Sequence, residues 1–393
     1  MQSPRYKSAT YIVQTLFDAG FTAYFAGGWV RDYLLDRECD DIDIATSAAP
    51  EQVEALFAKT IPLGIAFGMI VVVMEGVNFE VTTFRKDHPY HDGRHPDGVD
   101  FTSAKKDAQR RDFTINGMFY DPLTEDIYDY VGGKEDLKKR IIRAIGDPHL
   151  RFQEDRLRMV RAVRYATRLG FRIEEKTVEG IKKWAPSLFP SVSMERIWQE
   201  FNKMLPERLD MAVVMLMRFG LLSTIFPDLH SLKHVEERVA SFAKFPKNCP
   251  TILYLLELFP FYTREQKCEL CDYLKSSNQD KKLAQFISQT PQDLCDWAHF
   301  YADPRKEVCL KVLAASGKLS LTEHDEQERL LKPHIERIQK GKPLVDSAIL
   351  RTFGIDPGPN MGELLRKATR LAINENLQTK EAVLARLFEQ KES

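Results

Sequence analysis

Two aspartates stand two residues apart in Asp41-Ile42-Asp43-Ile44, and a glycine pair, Gly27-Gly28, lies a short stretch before them. The acidic run alternates polar and apolar residues, as a half-buried strand does. Residues i and i+2 of a strand share a face, so Asp41 and Asp43 should project together while Ile42 and Ile44 anchor the other side. Adjacent carboxylates repel unless a cation lies between them, and Mg²⁺ takes carboxylate oxygens together with substrate phosphates. Alone, an Asp-x-Asp pair is a weak signal and reads more readily as a solvated strand end. The glycines add a second chemistry. Tyr24-Phe25-Ala26 reads as a strand end and residues 30–35 as the start of a helix. Glycine between them lets backbone N–H groups approach an anion, and a helix N-terminus favours negative charge. Arg31, one turn in, is placed to reach the same phosphates. A third acid follows in the alternating run Asn78-Phe79-Glu80-Val81-Thr82. If that strand lies beside the first, Glu80 completes a carboxylate cluster. These features point to an enzyme that handles a nucleoside triphosphate with divalent metal.

The order of motifs then resembles a known family. Gly27-Gly28-Trp29-Val30-Arg31-Asp32, Asp41-x-Asp43 and Glu80-Val81-Thr82-Thr83-Phe84-Arg85 are similar to the class II tRNA nucleotidyltransferases. That family includes CCA-adding enzymes, their CC-adding and A-adding relatives, and bacterial poly(A) polymerases. Further motifs follow in order: Arg110-Arg111-Asp112-Phe113-Thr114-Ile115-Asn116-Gly117-Met118, Glu154-Asp155-Arg156-Leu157-Arg158, and Ser193-Met194-Glu195-Arg196-Ile197-Trp198. Together they span roughly residues 20–205, and so many ordered motifs are hard to obtain by chance. The family usually carries alanine where Gly117 stands, a small departure.

The resemblance implies that Asp155 and Arg158 select the base. On a helix the two are neighbours at i and i+3. A carboxylate only accepts hydrogen bonds and a guanidinium only donates them. Cytosine and adenine each offer an amino donor beside a ring-nitrogen acceptor, so both fit the pair. Uracil and guanine present a carbonyl beside an N–H and meet it with clashing polarity, at about 1–3 kcal/mol for each mispaired buried group. The plainer alternative is an intrahelical salt bridge worth about 0.2–0.5 kcal/mol. Arg158, Arg161 and Arg164 recur every three residues. Like charges on one stripe are useful beside a triphosphate or an RNA backbone. By resemblance, Arg111 contacts the nucleotide too.

The implied mechanism uses two metal ions, one on Asp41 and Asp43 and the other holding the triphosphate. One activates the RNA 3′ hydroxyl and one stabilises the leaving pyrophosphate. Expected partners are Mg²⁺, tRNA, ATP and CTP, with a separate CC-adding enzyme if this chain adds only the terminal A. Residues 86–99 are rich in turn formers. His88, His91 and His95 there are too irregularly spaced for a metal site and read as part of a polar loop. In the family that loop is needed for the switch from C to A, which argues against a CC-only enzyme. A poly(A) polymerase is the main alternative. The stretch at 61–70 lacks the basic signature of those polymerases, and the chain ends Phe388-Glu389-Gln390-Lys391-Glu392-Ser393 without a long basic tail. A non-catalytic RNA-binding factor with a degenerate head is the second alternative, against which the intact Asp41, Asp43 and Arg158 argue.

With 393 residues, more than one domain is expected. Net charge of −1 gives no global attraction to RNA, so binding must come from local basic surface. No apolar run approaches transmembrane length and Met1–Lys7 lacks a signal-peptide core, so the expected location is the cytoplasm, with no membrane partner. Six cysteines in a chain this long do not make a disulfide framework, and Cys268-x-x-Cys271 has no second pair at zinc spacing.

The predicted architecture is an α+β nucleotidyltransferase head, a mixed sheet with helices, over residues 1–142. An all-α remainder follows: a neck at 143–205, a body at 206–335 and a tail at 336–393. The runs 211–217 and 252–258 read as buried helical segments. Gly341–Asp346 and Phe353–Pro359 precede a helix starting near Met361, similar to the family's tRNA-holding tail.

Overall fold

The computed structural model describes residues 3–88, 97–204 and 208–389. His91, His95 and the last four residues lie outside them. The chain forms two compact units, Met1–Glu236 and Glu237–Ser393.

The first unit opens with α1 (Pro4–Asp18), capped by the Ser3 side chain with proline at its first turn. Its residues Ala9, Ile12, Val13 and Leu16 fall on one stripe and are buried. Strands β1 (Ala23–Ala26), β2 (Asp43–Thr46), β3 (Thr60–Ile61), β4 (Met69–Met74) and β5 (Val77–Thr83) follow, then β6 (Arg85–Asp87), β7 (Val99–Phe101), β8 (Met118–Tyr120) and β9 (Ile127–Asp129). Seven of these make one sheet in the order β3-β4-β5-β2-β1-β8-β9, while β6 and β7 pair separately. Within the large sheet β2 and β5 run parallel and the other neighbours antiparallel, so the sheet is mixed, as expected.

Local chemistry explains this arrangement. Val-rich β4 suits a pleated, buried surface. Glu75 and Gly76 both take positive φ, 51° and 78°, between the paired ends Met74 and Val77. That two-residue turn matches the twist of the strands it joins. In β5, Phe79, Val81 and Thr83 face the core while Glu80 is exposed. Phe25, Phe79, Phe84, Phe113, Phe119 and Tyr120 supply the fully buried aromatic bulk.

The strands are interleaved with α2 (Gly28–Leu34), α3 (Pro50–Leu56), α4 (Ala104–Arg110) and α5 (Gly133–Lys139). After residue 140 the unit is mostly helical: α6 (Pro148–Glu154), α7 (Leu157–Leu169), α8 (Glu175–Trp184), α9 (Met194–Met204) and α10 (Leu209–Arg218). A short parallel pair, β10 (Ile141–Ile142) with β11 (Arg172–Ile173), ties the two parts together. Helix α7 is buried nearly all round and packs against α9 and α10.

One sequence expectation fails here. Asp155 and Arg158 do not share a helix, because α6 ends at Glu154 and Asp155 is extended, with φ −140° and ψ 106°. The Asp155 carboxylate instead accepts from the Leu157 amide at 3.0 Å, starting α7 as an N-terminal cap does.

The second unit is helical. Residues 251–257 are buried throughout, as expected. In the first unit the Met-rich run of α10 is one-sided, with Met211 exposed. Near the C-terminus, Val345, Leu350, Met361, Ala368, Ala372, Val383 and Leu387 form a cluster of their own. The helix there spans Pro359–Asn374, two residues earlier than predicted. All six cysteines are free thiols, Cys271 buried and Cys268 partly so. Among the described residues no helix is long and apolar enough to cross a membrane.

Candidate active site

Residues of the central strands β5, β2 and β1 and of α4, α7 and α9 meet around a cleft in the first unit. One cavity of ≈ 490 Å³ has Asp43, Glu80, Arg110, Arg111, Asp155 and Arg158 among its walls. A second, of ≈ 340 Å³, shares Asp43, Arg111, Asp155 and Arg158 and adds Gly27, Gly28, Arg161 and Arg196.

The strand β2 begins at Asp43, so Asp41 precedes it, but the predicted alternation survives. Ile42 and Ile44 are 2% and 1% exposed, whereas the Asp41 side chain is 89% exposed. β5 lies beside β2 in parallel, with Ile44 opposite Val81. That register sets Glu80 next to Asp43. Burial, reinforced by the Asp41 and then the Glu80 carboxylates, pushes the Asp43 carboxyl up from 3.8 to about 6, against the pull of Arg111 and Arg5. No group of three His, Cys, Asp or Glu side chains is gathered into a metal cage among the described residues. Mg²⁺ does not need one, since it binds through one or two carboxylates plus substrate phosphates and water. A repelling, oxygen-only pair fits that ion.

Gly27, at the N-cap of α2, has φ 69°. A side chain there would bring its Cβ to 3.4 Å from Arg111 Nη1 and 4.0 Å from Asp43 Oδ2. Glycine therefore leaves the cleft floor open between an acid and a base. Arg111 is held by Asp107, whose Oδ2 accepts from Nη2 at 2.9 Å and from Nε at 3.1 Å. Its guanidinium lies 5.0 Å over the Phe119 ring.

Arg158 Nη1 donates to Glu154 Oε2 at 2.7 Å and to the Arg151 carbonyl at 3.1 Å, and Nη2 donates to the Arg110 carbonyl at 3.1 Å. Asp155 pairs with Arg196, Nη2 to Oδ2 at 3.0 Å. Arg161 holds Asp112 at 2.6 Å. Burial raises the Asp112 carboxyl, but Arg161, with Asn116 and Arg158 behind it, outweighs that and lowers it to about 2.

Two predicted contacts sit behind the cleft instead. Arg31 is 3% exposed, bonded to Asp32 at 2.7 and 2.8 Å and to Asn116 Oδ1 at 2.7 Å. Arg164 is 5% exposed and donates to Glu200 at 2.5 Å. For Arg164 the reason is helical geometry. Each step of three residues falls about 60° short of a full turn, so Arg164 has rotated away from the face that Arg158 presents. Arg31, Arg161 and Arg164 all lie against the Tyr165 ring, at 5.3, 5.4 and 4.1 Å from its centre.

Residues 23–143 match the model of the poly A polymerase head domain. Residues 170–233 match that of the probable RNA and SrmB-binding site of polymerase A. The chain is 36% identical over 389 residues to the CCA-adding enzyme of Lactobacillus helveticus, covering 96% of this chain and 95% of that one. The chain belongs to the class II tRNA nucleotidyltransferases. The CCA-adding enzyme of Pediococcus pentosaceus is 34% identical over 403 residues, 96% of each chain. The crystal structure of the Bacillus stearothermophilus CCA-adding enzyme in complex with CTP superposes with a TM-score of 0.75 at 31% identity, over 100% of this chain and 98% of that one.

In this nucleotidyltransferase, sequence reasoning missed four contributors. Arg5 approaches Asp41 to 3.9 Å from α1. Asp112 and Asn116 link Arg161 to Arg31. Arg196 holds Asp155 from α9. Asp112, Asn116 and Arg196 stand inside the motifs already quoted, which marked them without giving them a task. Arg5 had no signal at all.

Proposed function

We propose that this chain extends the 3′ end of tRNA with nucleotides taken from CTP and ATP, without a nucleic-acid template. The observation that carries the reading is the sharing of one cleft by an acidic end, Asp43 and Glu80, and a base-reading end, Asp155 and Arg158. A nucleotide lying along it has its phosphates beside the acids and Arg111, and its base beside α7.

The residues divide the work accordingly. Asp41 and Asp43 would hold divalent metal, with Glu80 adjacent; bound there, Mg²⁺ supplies Lewis acidity to the 3′ hydroxyl and to the departing pyrophosphate. Gly27 and Gly28 leave room for the triphosphate to approach the backbone. Arg111, fixed by Asp107, neutralises phosphate charge. The terminal hydroxyl oxygen attacks the α-phosphorus in line, one P–O bond forms, and the bond to pyrophosphate breaks. Position and charge carry the reaction. Asp155 accepts from the amino group of cytosine or adenine while Arg158 donates to the ring nitrogen. Arg161 shares the basic wall, and Arg31 and Arg164 act from behind as braces. Head, neck, body and tail divide at residues 142, 205 and 335 in this reading, the tail serving tRNA binding.

The test uses purified protein, Mg²⁺ and tRNA transcripts ending at the discriminator base, at C and at CC, with CTP and ATP singly and together. Ordered addition of C, C and A to the first establishes full CCA addition. One A on the CC-ending tRNA alone makes this an A-adding enzyme with a CC-adding partner. Long A tails on any RNA, or binding without transfer, overturn the reading.

A further inference from the structure

Helix α9 carries Arg196 and Glu200 one turn apart, on the same face. Glu200 grips α7, accepting from Arg164 at 2.5 Å with Arg161 at 3.8 Å. Arg196 reaches the break that precedes α7 and takes Asp155 at 3.0 Å. The Asp155 carboxylate is therefore held from two sides, Oδ1 by the Leu157 amide and Oδ2 by Arg196. Both partners are donors. A carboxylate oxygen has room for more than one donor, so each retains acceptor capacity toward the cleft that Asp155, Arg158 and Arg196 line together.

A second observation sharpens this. Asp155 and Arg158 carry opposite charge three residues apart, yet each is tied elsewhere: Asp155 to Arg196, and Arg158 to Glu154 at 2.7 Å. Without those tethers the two charges would neutralise one another and present no edge to a base. Arg196 Nη1 is also buried without a hydrogen-bond partner among the described residues. A buried, unmet donor is costly; here it is retained next to the carboxylate.

We propose that Arg196 is the positioning residue for base selection, holding the Asp155 carboxylate turned to the cleft as an acceptor so that bases offering a carbonyl there are rejected. The inference rests on the base-reading role proposed for Asp155 and Arg158. In this proposal Arg196 acts through Asp155 rather than on the base, so its removal affects choice among nucleotides more than turnover of the correct one. Lysine in its place keeps the charge but loses the planar fork, and is not an equivalent partner for a carboxylate.

The experiment measures kcat/KM for ATP and for UTP on full-length R196Q, R196K and wild type, with tRNA ending in CC, alongside the tRNA Kd. R196Q is expected to lower the ATP-to-UTP ratio about tenfold or more, R196K by less, with the tRNA Kd unchanged. A uniform fall for both nucleotides at a preserved ratio means a merely structural brace and overturns the proposal. D155N in the same assay separates the two ideas. A preserved ratio in D155N overturns base reading itself, whereas a lost ratio in D155N with a preserved one in R196Q overturns only the role of Arg196. Should R196Q fail to fold, R196K decides alone, a lowered ratio supporting the proposal and an unchanged one overturning it.

Discussion

The two ends of the cleft treat charge in opposite ways. At the strand end, Asp41, Asp43 and Glu80 crowd like charges, and Asp43 is pushed up to about 6 by burial and those neighbours. At the helix end, Asp32, Arg31, Asp112, Arg161, Glu200 and Arg164 form a chain of opposite charges, with the neutral Asn116 amide bridging Arg31 to Asp112, and Asp112 is lowered to about 2. A folded protein tolerates the first arrangement only at a cost, one that the cation proposed to bind there would remove. The second is self-sufficient and holds shape. Imbalance of this kind suits the metal role proposed for Asp41 and Asp43, and balance suits the frame around it.

Substitutions on either side should separate these roles. The largest effect is expected from Asp43→Asn. Transfer should fall by a factor on the order of a thousand or more, since metal binding needs the carboxylate, while tRNA binding persists. Loss of tRNA binding together with transfer would refute the metal role. In metal-free buffer at neutral pH the same variant should melt higher than the parent, by a free energy on the order of 2 kcal/mol. Next comes Glu200→Ala at the balanced end. Removing one partner of a buried pair leaves Arg164 uncompensated and should cost about 3–5 kcal/mol, read as a lower midpoint in urea. Arg158→Ala should relax choice between ATP and UTP by about tenfold or more; unchanged discrimination would end the base-reading idea.

Acid titration gives a finer contrast, with opposite signs. Asp112 has a folded value near 2, below the ordinary 3.8, so its stabilisation is present above 3.8 and lost as pH falls toward 2. Asp43 has a folded value near 6, so its contribution is fully present below 3.8 and lost as pH rises through 6. Metal-free protein should therefore lose stability between pH 4 and 6 through Asp43, a slope that Asp43→Asn abolishes. The smallest effect belongs to Gly117→Ala. A Cβ there meets Val131 Cγ2 at 2.7 Å, so the residue usual in the family should lower stability slightly in this chain, by about 1 kcal/mol.

Much of the strand end was legible because its signals are local. Alternation exposed β2 and β5, and the glycine pair marked the turn before α2. The helix end was harder to read because its partners are distant in sequence. Arg196 stands 41 residues from Asp155, and Glu200 stands 36 from Arg164. No period within a helix reveals such pairs, so Arg164 was read as a nucleotide contact although its partner is buried behind the cleft. Asp155 shows a different failure. Its capacity to cap a helix was visible in principle, yet it stands among good helix formers, and the periodic reading ran through the break.

The cluster that runs from Val345 to Leu387 draws all its buried members from the last fifty residues of the chain. A segment that completes its own interior is already ordered before any partner arrives. In the tRNA-binding role proposed for it, association on its surface would lose rigid-body freedom but little chain entropy, which favours fast, repeated capture and release over slow, induced docking.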